Sequence, residues 1–366
     1  VVKSKTKSIE ENDSDKIITN SFNQRSERMN KFRDALNKKK GHIIAHKLTE
    51  SNPTEVKSWI PTGSTWLDSI ICKGKMAGIP MGKIVEIAGD SGSGKSYLAL
   101  QIGINALKQD IDVIYLESEA ALDNYFIEKM GYNIDDFMYV AAESCESVGE
   151  IIEEMLKQSE KPMLFIWDSL AQTPVEATIE GDFDVQAEMG IKARILSRLF
   201  SKLTLPIAKH GSGLLIVNQL KTKFDKFDPW VTPGGKAPTY SYSLRLWLTV
   251  SNTLKNRIDD KYGEQIGSQI TAKIKKSRFG SQGKECTFKI LWRENEPGDN
   301  ISIMDQESWY DAIKKSERVK SGAWTILKMP DGKEYKFQRA SFVKKMEEEP
   351  EFKEAIINTM NDFYLR

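Results

Sequence analysis

Lys83-Ile84-Val85-Glu86-Ile87-Ala88-Gly89-Asp90-Ser91-Gly92-Ser93-Gly94-Lys95-Ser96 decides the fold. Lys83 to Ala88 reads as a strand, and Lys95 to Gln109 as a helix. Between them, Gly89 to Ser96 fits GxxxxGK[ST] in full, in the strand–loop–helix context that gives this motif its meaning. Each residue type has a physical reason. Glycines let backbone N–H groups curl around phosphate oxygens, and the helix N-terminus adds partial positive charge. Lys95 is placed to neutralise β- and γ-phosphates, and the Ser96 hydroxyl to ligate Mg²⁺. Asp90, Ser91, Gly92, Ser93, Gly94, Lys95 and Ser96 are therefore candidate nucleotide-binding residues, with ATP and Mg²⁺ as the implied ligands.

Working outward, strands alternate with helices. Ile111 to Leu116, Met163 to Trp167 and Leu214 to Val217 read as strands. Ser147 to Gln158 reads as a helix with one apolar face, and Glu188 to Lys209 as a helix broken near Pro206. Such alternation implies an α/β fold, a mainly parallel sheet covered on both faces. Asp168 ends the apolar run Leu164 to Trp167, where a P-loop enzyme needs a Mg²⁺-organising acid; a turn or helix-cap Asp is the plainer alternative. Glu117 and Glu119 follow another strand and are both candidates to activate water. A strand continued through them would point both the same way, so position does not choose between them. Leu244 to Val250, Ile270 to Lys276 and Cys286 to Trp292 read as strands extending the sheet in hairpin style.

Residues 1–20 are polar and without periodicity, and are expected to form a flexible arm. Residues 21–59 are expected to hold a helix from Phe22 to about Lys39, stopped by Gly41, then one short strand, His42 to Leu48, and a linker. The core is expected over 60–300, and a small α+β C-terminal domain over 301–366, ending in a helix from Glu351 to Tyr364. Lys and Arg total 53 and Asp and Glu 52, a net charge of +1, so any nucleic-acid site depends on local placement of charge. Cys72, Cys145 and Cys286 form no metal-binding spacing and read as thiols of a reducing compartment. Neither a secretory leader nor a membrane span is expected, and the chain reads as cytoplasmic.

Further blocks carry a resemblance. Pro61-Thr62-Gly63-Ser64, Leu67-Asp68 and Gly78-Ile79-Pro80-Met81-Gly82 precede the P-loop. Glu119-Ala120-Ala121-Leu122-Asp123, Asp168-Ser169-Leu170-Ala171, Ile179-Glu180-Gly181-Asp182, Met189-Gly190-Ile191-Lys192-Ala193-Arg194, Val217-Asn218-Gln219-Leu220 and Pro233-Gly234-Gly235 follow in order. Together they resemble the RecA family of strand-exchange ATPases. Lys276-Ser277-Arg278 and Pro350 to Ile356 are more similar to its phage branch, the UvsX recombinases. The resemblance is strong from about Phe22 to Trp292 and weak beyond.

It implies a RecA-like core with an N-terminal helix-strand polymerisation arm. It also implies a DNA-dependent ATPase that forms a helical filament on single-stranded DNA and pairs it with homologous double-stranded DNA. A recombination mediator and a single-strand-binding protein are implied accessory partners, and the cytoplasm of a bacterial or phage-infected cell the implied location. Glu119 is similar to the catalytic base, and Gln219 to the residue that senses the γ-phosphate and couples it to the DNA loops. Asp123, Phe126 and Trp292 match positions around adenine; Phe126 and Trp292 read equally as core residues. Lys276 and Arg278 match cations that reach a neighbouring subunit's γ-phosphate.

Two segments match DNA loops, about Glu180 to Gly190 and Lys221 to Gly235. The second interleaves Lys221, Lys223, Phe224, Lys226, Phe227 and Trp230, a pattern suited to single strands. Arg194, Ser197, Gly234 and Gly235 match backbone contacts. The first loop is acidic, and the second lacks the family's threonine run. A ring-forming RecA-fold motor and a RecA-like regulator with little turnover are the alternatives. The full set Lys95, Ser96, Glu119, Asp168 and Gln219 weighs against the regulator.

Overall fold

The computed structural model describes residues 13–50, 52–72, 78–120, 122–179, 185–222, 230–235, 237–250, 256–294 and 301–364. The chain forms two units, Val1–Glu55 and Val56–Arg366.

In the first unit a helix spans Asp13–Lys40, beginning well before Phe22 and so replacing part of the expected flexible arm. Gly41, at φ 71°, ends it, and Lys38, Lys39 and Lys40 complement the helix dipole in its last turn. The strand expected over His42 to Leu48 does not form. A strand needs a neighbour for its N–H and C=O groups. Here the Asn37 amide takes that place. Its oxygen accepts from the N–H groups of Ile44 and Ala45, both at 2.9 Å, and its nitrogen donates to the Ala45 carbonyl at 3.0 Å. Phe22, Met29, Phe32, Leu36 and Ile43 are exposed.

The second unit is built on a nine-stranded sheet. Six strands run parallel, in the spatial order Leu244–Val250, Ile84–Gly89, Gly213–Gln219, Met163–Asp168, Asp112–Glu117, Phe137–Ala141. The long strand Gln265–Ser277 adds antiparallel to Leu244–Val250, and Arg257–Asp259 and Glu285–Leu291 pair antiparallel with it. The continuous apolar runs follow from cover on both faces. Val85, Val113, Tyr115, Leu164 and Ile166 face one cluster with the helix Lys95–Leu107. Ile84, Ile114, Leu116, Phe165 and Trp167 face a second with the helices Cys145–Gln158 and Val185–His210. Successive strand residues point to opposite faces, and here both faces are dry.

The break expected near Pro206 is absent, and the helix Val185–His210 continues through it. Pro206 lies on the exposed side, while Leu203 and Ile207 on either side of it are fully buried against the sheet. That packing holds the axis despite the lost backbone bond. Beyond residue 301, Trp309, Ile313, Phe337, Phe342 and Phe352 belong to the same cluster as the P-loop helix. Asp305 ties this part to the helix Thr65–Ile71, accepting from the Thr65 N–H at 2.7 Å and hydroxyl at 2.5 Å. The three cysteines are buried and form no disulfide. Among the described residues no helix is long and apolar enough to cross a membrane.

Asp68, on that helix, is buried, and its Oδ1 accepts from the Thr62 N–H at 2.9 Å and hydroxyl at 2.6 Å. Burial pushes its carboxyl up to about 7, against the opposing Thr62 bonds. The folded state thus holds a proton that the unfolded chain releases near pH 4. Stability is expected to fall as pH rises from about 4 to 7 and to level off above. Asp68→Asn keeps the accepting oxygen and removes the proton. Denaturant unfolding at pH 5 and pH 8 is expected to differ by about 3 kcal/mol less in the variant than in the wild type. An unchanged difference would show that Asp68 is ionised in the fold throughout.

Candidate active site

The parallel register builds the site. Gly89 lies opposite Gln219, and Glu117 opposite Asp168, all at the carboxyl ends of neighbouring strands, where open α/β sheets bind ligands. The P-loop leaves Gly89 and turns into the helix Lys95–Leu107 at Gly94, whose φ is 81°. A side chain at Gly94 would be strained by that φ and would meet Ile290 Cδ1 at 2.9 Å, so only glycine brings the loop this close to the sheet extension. Asp90 closes the turn. Its carbonyl accepts from Ser93 Oγ at 2.7 Å and Lys95 Nζ at 2.8 Å, and its Oδ1 from the Ser91 N–H at 2.8 Å.

Asp168 sits at the end of its strand, 8% exposed. Burial raises its pKa, against hydrogen bonds from the Ser96 hydroxyl and from Tyr115, whose Oη donates to Oδ2 at 2.8 Å. Burial lowers the pKa of Lys95, opposed by the charges of Asp168, Glu119 and Asp90. One desolvated cation therefore faces three carboxylates, an excess of negative charge that a divalent cation would offset. Mg²⁺ keeps most of its ligands as water and phosphate oxygen and takes one or two from protein. The Ser96 hydroxyl, hydrogen-bonded to the Asp168 carboxylate, fits that requirement.

The two glutamates differ in place. Glu117 is buried at its strand end. Its Oε1 accepts from the Glu119 N–H at 3.0 Å and its Oε2 from the Tyr139 hydroxyl at 3.1 Å. Glu119 is exposed, and its Oε1 accepts from the Ser169 hydroxyl at 2.6 Å. Glu117 thus holds the backbone that presents Glu119.

These groups open on a cavity of 380 Å³. Gly92, Gly94, Lys95, Ser96, Glu117, Glu119 and Asp168 line it, together with Asp123, Phe126 and Trp292. Asp123 also caps the helix Asn124–Lys129 by accepting from the Tyr125 N–H at 2.9 Å. Phe126 packs edge-on against Tyr97 at 5.2 Å between ring centroids. Tyr97, Leu100, Tyr115, Ile270 and Ile290 also line the cavity, and sequence reasoning missed them. For Tyr115 a signal existed: it alternates with Glu117 along one strand, and a buried phenol seeks a polar partner. Ile270 and Ile290 arrive through antiparallel pairing, which leaves no local mark.

Other candidates lie outside the cavity lining. Gln219 ends the strand beside Gly89. Lys276 Nζ donates to the Thr239 carbonyl at 2.6 Å, and Arg278 Nη2 to the Tyr240 carbonyl at 2.8 Å. Burial, then Arg278, lowers the Lys276 pKa.

Four of the candidate DNA contacts, Arg194, Ser197, Gly234 and Gly235, lie together. The Gly234-Gly235 turn, with φ of 98° and 78°, lies against the helix Val185–His210. Side chains added there would meet Leu196 at 2.9 Å and Ala193 at 3.1 Å, the neighbours of Ser197 and Arg194. Lys221 is exposed on the short strand Lys221–Thr222, which pairs with Trp230–Val231. Lys223 and Phe227 lie outside the described residues, as do 180–184 of the first loop. The helix begins at Val185 rather than Glu188.

The RecA N-terminal domain family matches residues 28–296. The chain is similar to Protein RecA of Colwellia psychrerythraea, 30% identical over 330 residues, covering 89% of each chain. It is also similar to Protein RecA of Fusobacterium nucleatum, 32% identical over 292 residues, 79% of this chain and 73% of that one. A third, Protein RecA of Syntrophus aciditrophicus, is 32% identical over 269 residues, 72% of this chain and 73% of that one. With the P-loop sheet in place, this chain belongs to the RecA family of DNA-dependent ATPases and recombinases.

Proposed function

We propose that this chain is a recombinase of the UvsX-like branch, on the strength of Lys276-Ser277-Arg278 and Pro350 to Ile356. The family binds single-stranded DNA and forms filaments. In this reading, residues 21–59 are the polymerisation arm, 60–300 the ATPase core and 301–366 a C-terminal domain. Lys95 and the P-loop amides bind the phosphates, and Asp123, Phe126 and Trp292 the adenine. Ser96 and Asp168 would hold Mg²⁺, which when bound offsets charge on the phosphates. Glu119 takes a proton from the water that attacks the γ-phosphorus, and ADP is the leaving group. Gln219 senses the γ-phosphate. Lys221, Lys223, Phe227, Arg194, Ser197, Gly234 and Gly235 contact the DNA. Homologous duplex, a mediator and a single-strand-binding protein complete the partners, and the cytoplasm is the compartment.

The observation that carries the reading is the meeting of Lys95, Ser96, Asp168 and Glu119 at the carboxyl ends of neighbouring strands, with the Gly89–Gln219 register beside them. ATP turnover, measured with and without single-stranded DNA over a range of protein concentrations, is the test. Stimulation by DNA, rising cooperatively with protein, is expected. Turnover indifferent to DNA would sink the recombinase reading.

A further inference from the structure

Glu86 is fully buried on the P-loop strand, three residues before Gly89. A buried carboxylate needs both charge and hydrogen bonds. Arg245, its cross-strand neighbour, supplies the charge: Nε donates to Oε2 at 2.5 Å. Asn218 supplies the other bond, its Nδ2 donating to Oε1 at 3.0 Å. Neither partner stops there. Arg245 Nη2 donates to Thr232 Oγ1 at 3.0 Å, and Asn218 Nδ2 also reaches the Pro233 carbonyl at 3.3 Å. Asn218 Oδ1 accepts from the N–H of Gln219 at 2.9 Å. One buried carboxylate thus joins the P-loop strand, the peptide that carries Gln219, and Thr232-Pro233 at the end of the 221–235 segment.

We infer that Asn218 is a positioning residue that couples the nucleotide site to the DNA-contacting segment, with the Glu86–Arg245 pair as its fixed anchor. The inference rests on the proposed reading of 221–235 as a DNA contact. The physical argument is one of saturation. The Asn218 amide spends its oxygen on the Gln219 peptide and its nitrogen on Glu86 and Pro233, so a shift of Gln219 moves the donor that holds the segment's base. Glu86 itself cannot follow, being held in the strand interior and by Arg245. Arg245 also lies opposite Lys276 in the sheet, so the anchor touches the element that carries the candidate trans cations.

The test is a thermodynamic cycle on the full chain with Asn218→Ala. The affinity of a non-hydrolysable ATP analogue is measured with and without single-stranded DNA, and that of DNA with and without the analogue. In the wild type each ligand is expected to tighten the other by the same factor. In the variant that factor is expected to fall about tenfold on both arms, within the usual range of coupling, while each ligand alone binds within about twofold of wild type. Thr232→Val, which spares Glu86 and Asn218, is expected to lower the same factor, and serves if Asn218→Ala fails to fold. Full coupling in a folded variant, or a loss confined to one ligand's own affinity, would overturn the inference and leave the recombinase reading standing. Absence of coupling in the wild type would overturn both.

Discussion

Glu119→Gln is expected to cut DNA-stimulated ATP turnover by about a thousandfold while leaving ATP binding and filament assembly in place. The Gln side chain keeps the length of Glu and an oxygen to accept from the Ser169 hydroxyl, now at 2.6 Å, so the local geometry has no reason to change. What it loses is the capacity to take a proton. Glu117→Gln is the discriminating control. Glu117 also lines the cavity, but its two oxygens already accept from the Glu119 N–H and the Tyr139 hydroxyl. Its variant keeps one acceptor and is expected to lose about tenfold or less, through displacement of Glu119. Single-turnover hydrolysis beside equilibrium binding of a fluorescent nucleotide separates the two. If Glu117→Gln proves the more damaging, the catalytic assignment moves to Glu117.

That pair also marks how far the sequence could be read. The fold was legible because buried parallel strands are continuous apolar runs, and because Gly89 to Ser96 sits between one such strand and a helix. Placement of the candidate catalytic groups at strand ends followed from the same runs. Choosing between Glu117 and Glu119 did not. The strand ends at Glu117, and the direction of Glu119 depends on a loop held by Ser118 and Ser169, whose bonds cross 51 residues of chain. Non-local pairing hid other features in the same way. Ile270 and Ile290 read as sheet core and prove also to line the cavity, because a neighbouring strand pair brings the P-loop to them. Glu86 is the one carboxylate in the strand Lys83 to Ala88, and only Arg245 and Asn218, brought beside it by sheet pairing, explain its burial. His42 to Leu48 shows the opposite limit. β-Propensity there was real, but propensity makes no strand without a partner edge.

Lys276 and Arg278 carry the other large expected effect. Within one chain both are turned toward the carbonyls of Thr239 and Tyr240, and neither lines the cavity that holds Lys95 and Asp168. Cations that stabilise a transferring phosphoryl group must lie against it, and such a contribution reaches about a thousandfold. If these two serve catalysis, they serve it in another copy's cavity, which a head-to-tail filament supplies. The Lys276→Ala/Arg278→Ala double variant and Lys95→Ala are therefore each expected to lose nearly all DNA-dependent turnover, for different reasons. The first has an intact P-loop and no cations to lend; the second has cations and no P-loop. Mixed in equal amounts on single-stranded DNA, they form interfaces at random. About one interface in four then pairs an intact P-loop with intact cations, and turnover is expected to recover to about a quarter of wild type. Groups acting within their own chain would give no recovery at any ratio, because no subunit in the mixture is whole. The yield as a function of mixing ratio adds a second constraint. A trans site predicts a maximum at equal amounts, falling as the product of the two fractions, whereas exchange of nucleotide or DNA between independent subunits predicts no maximum.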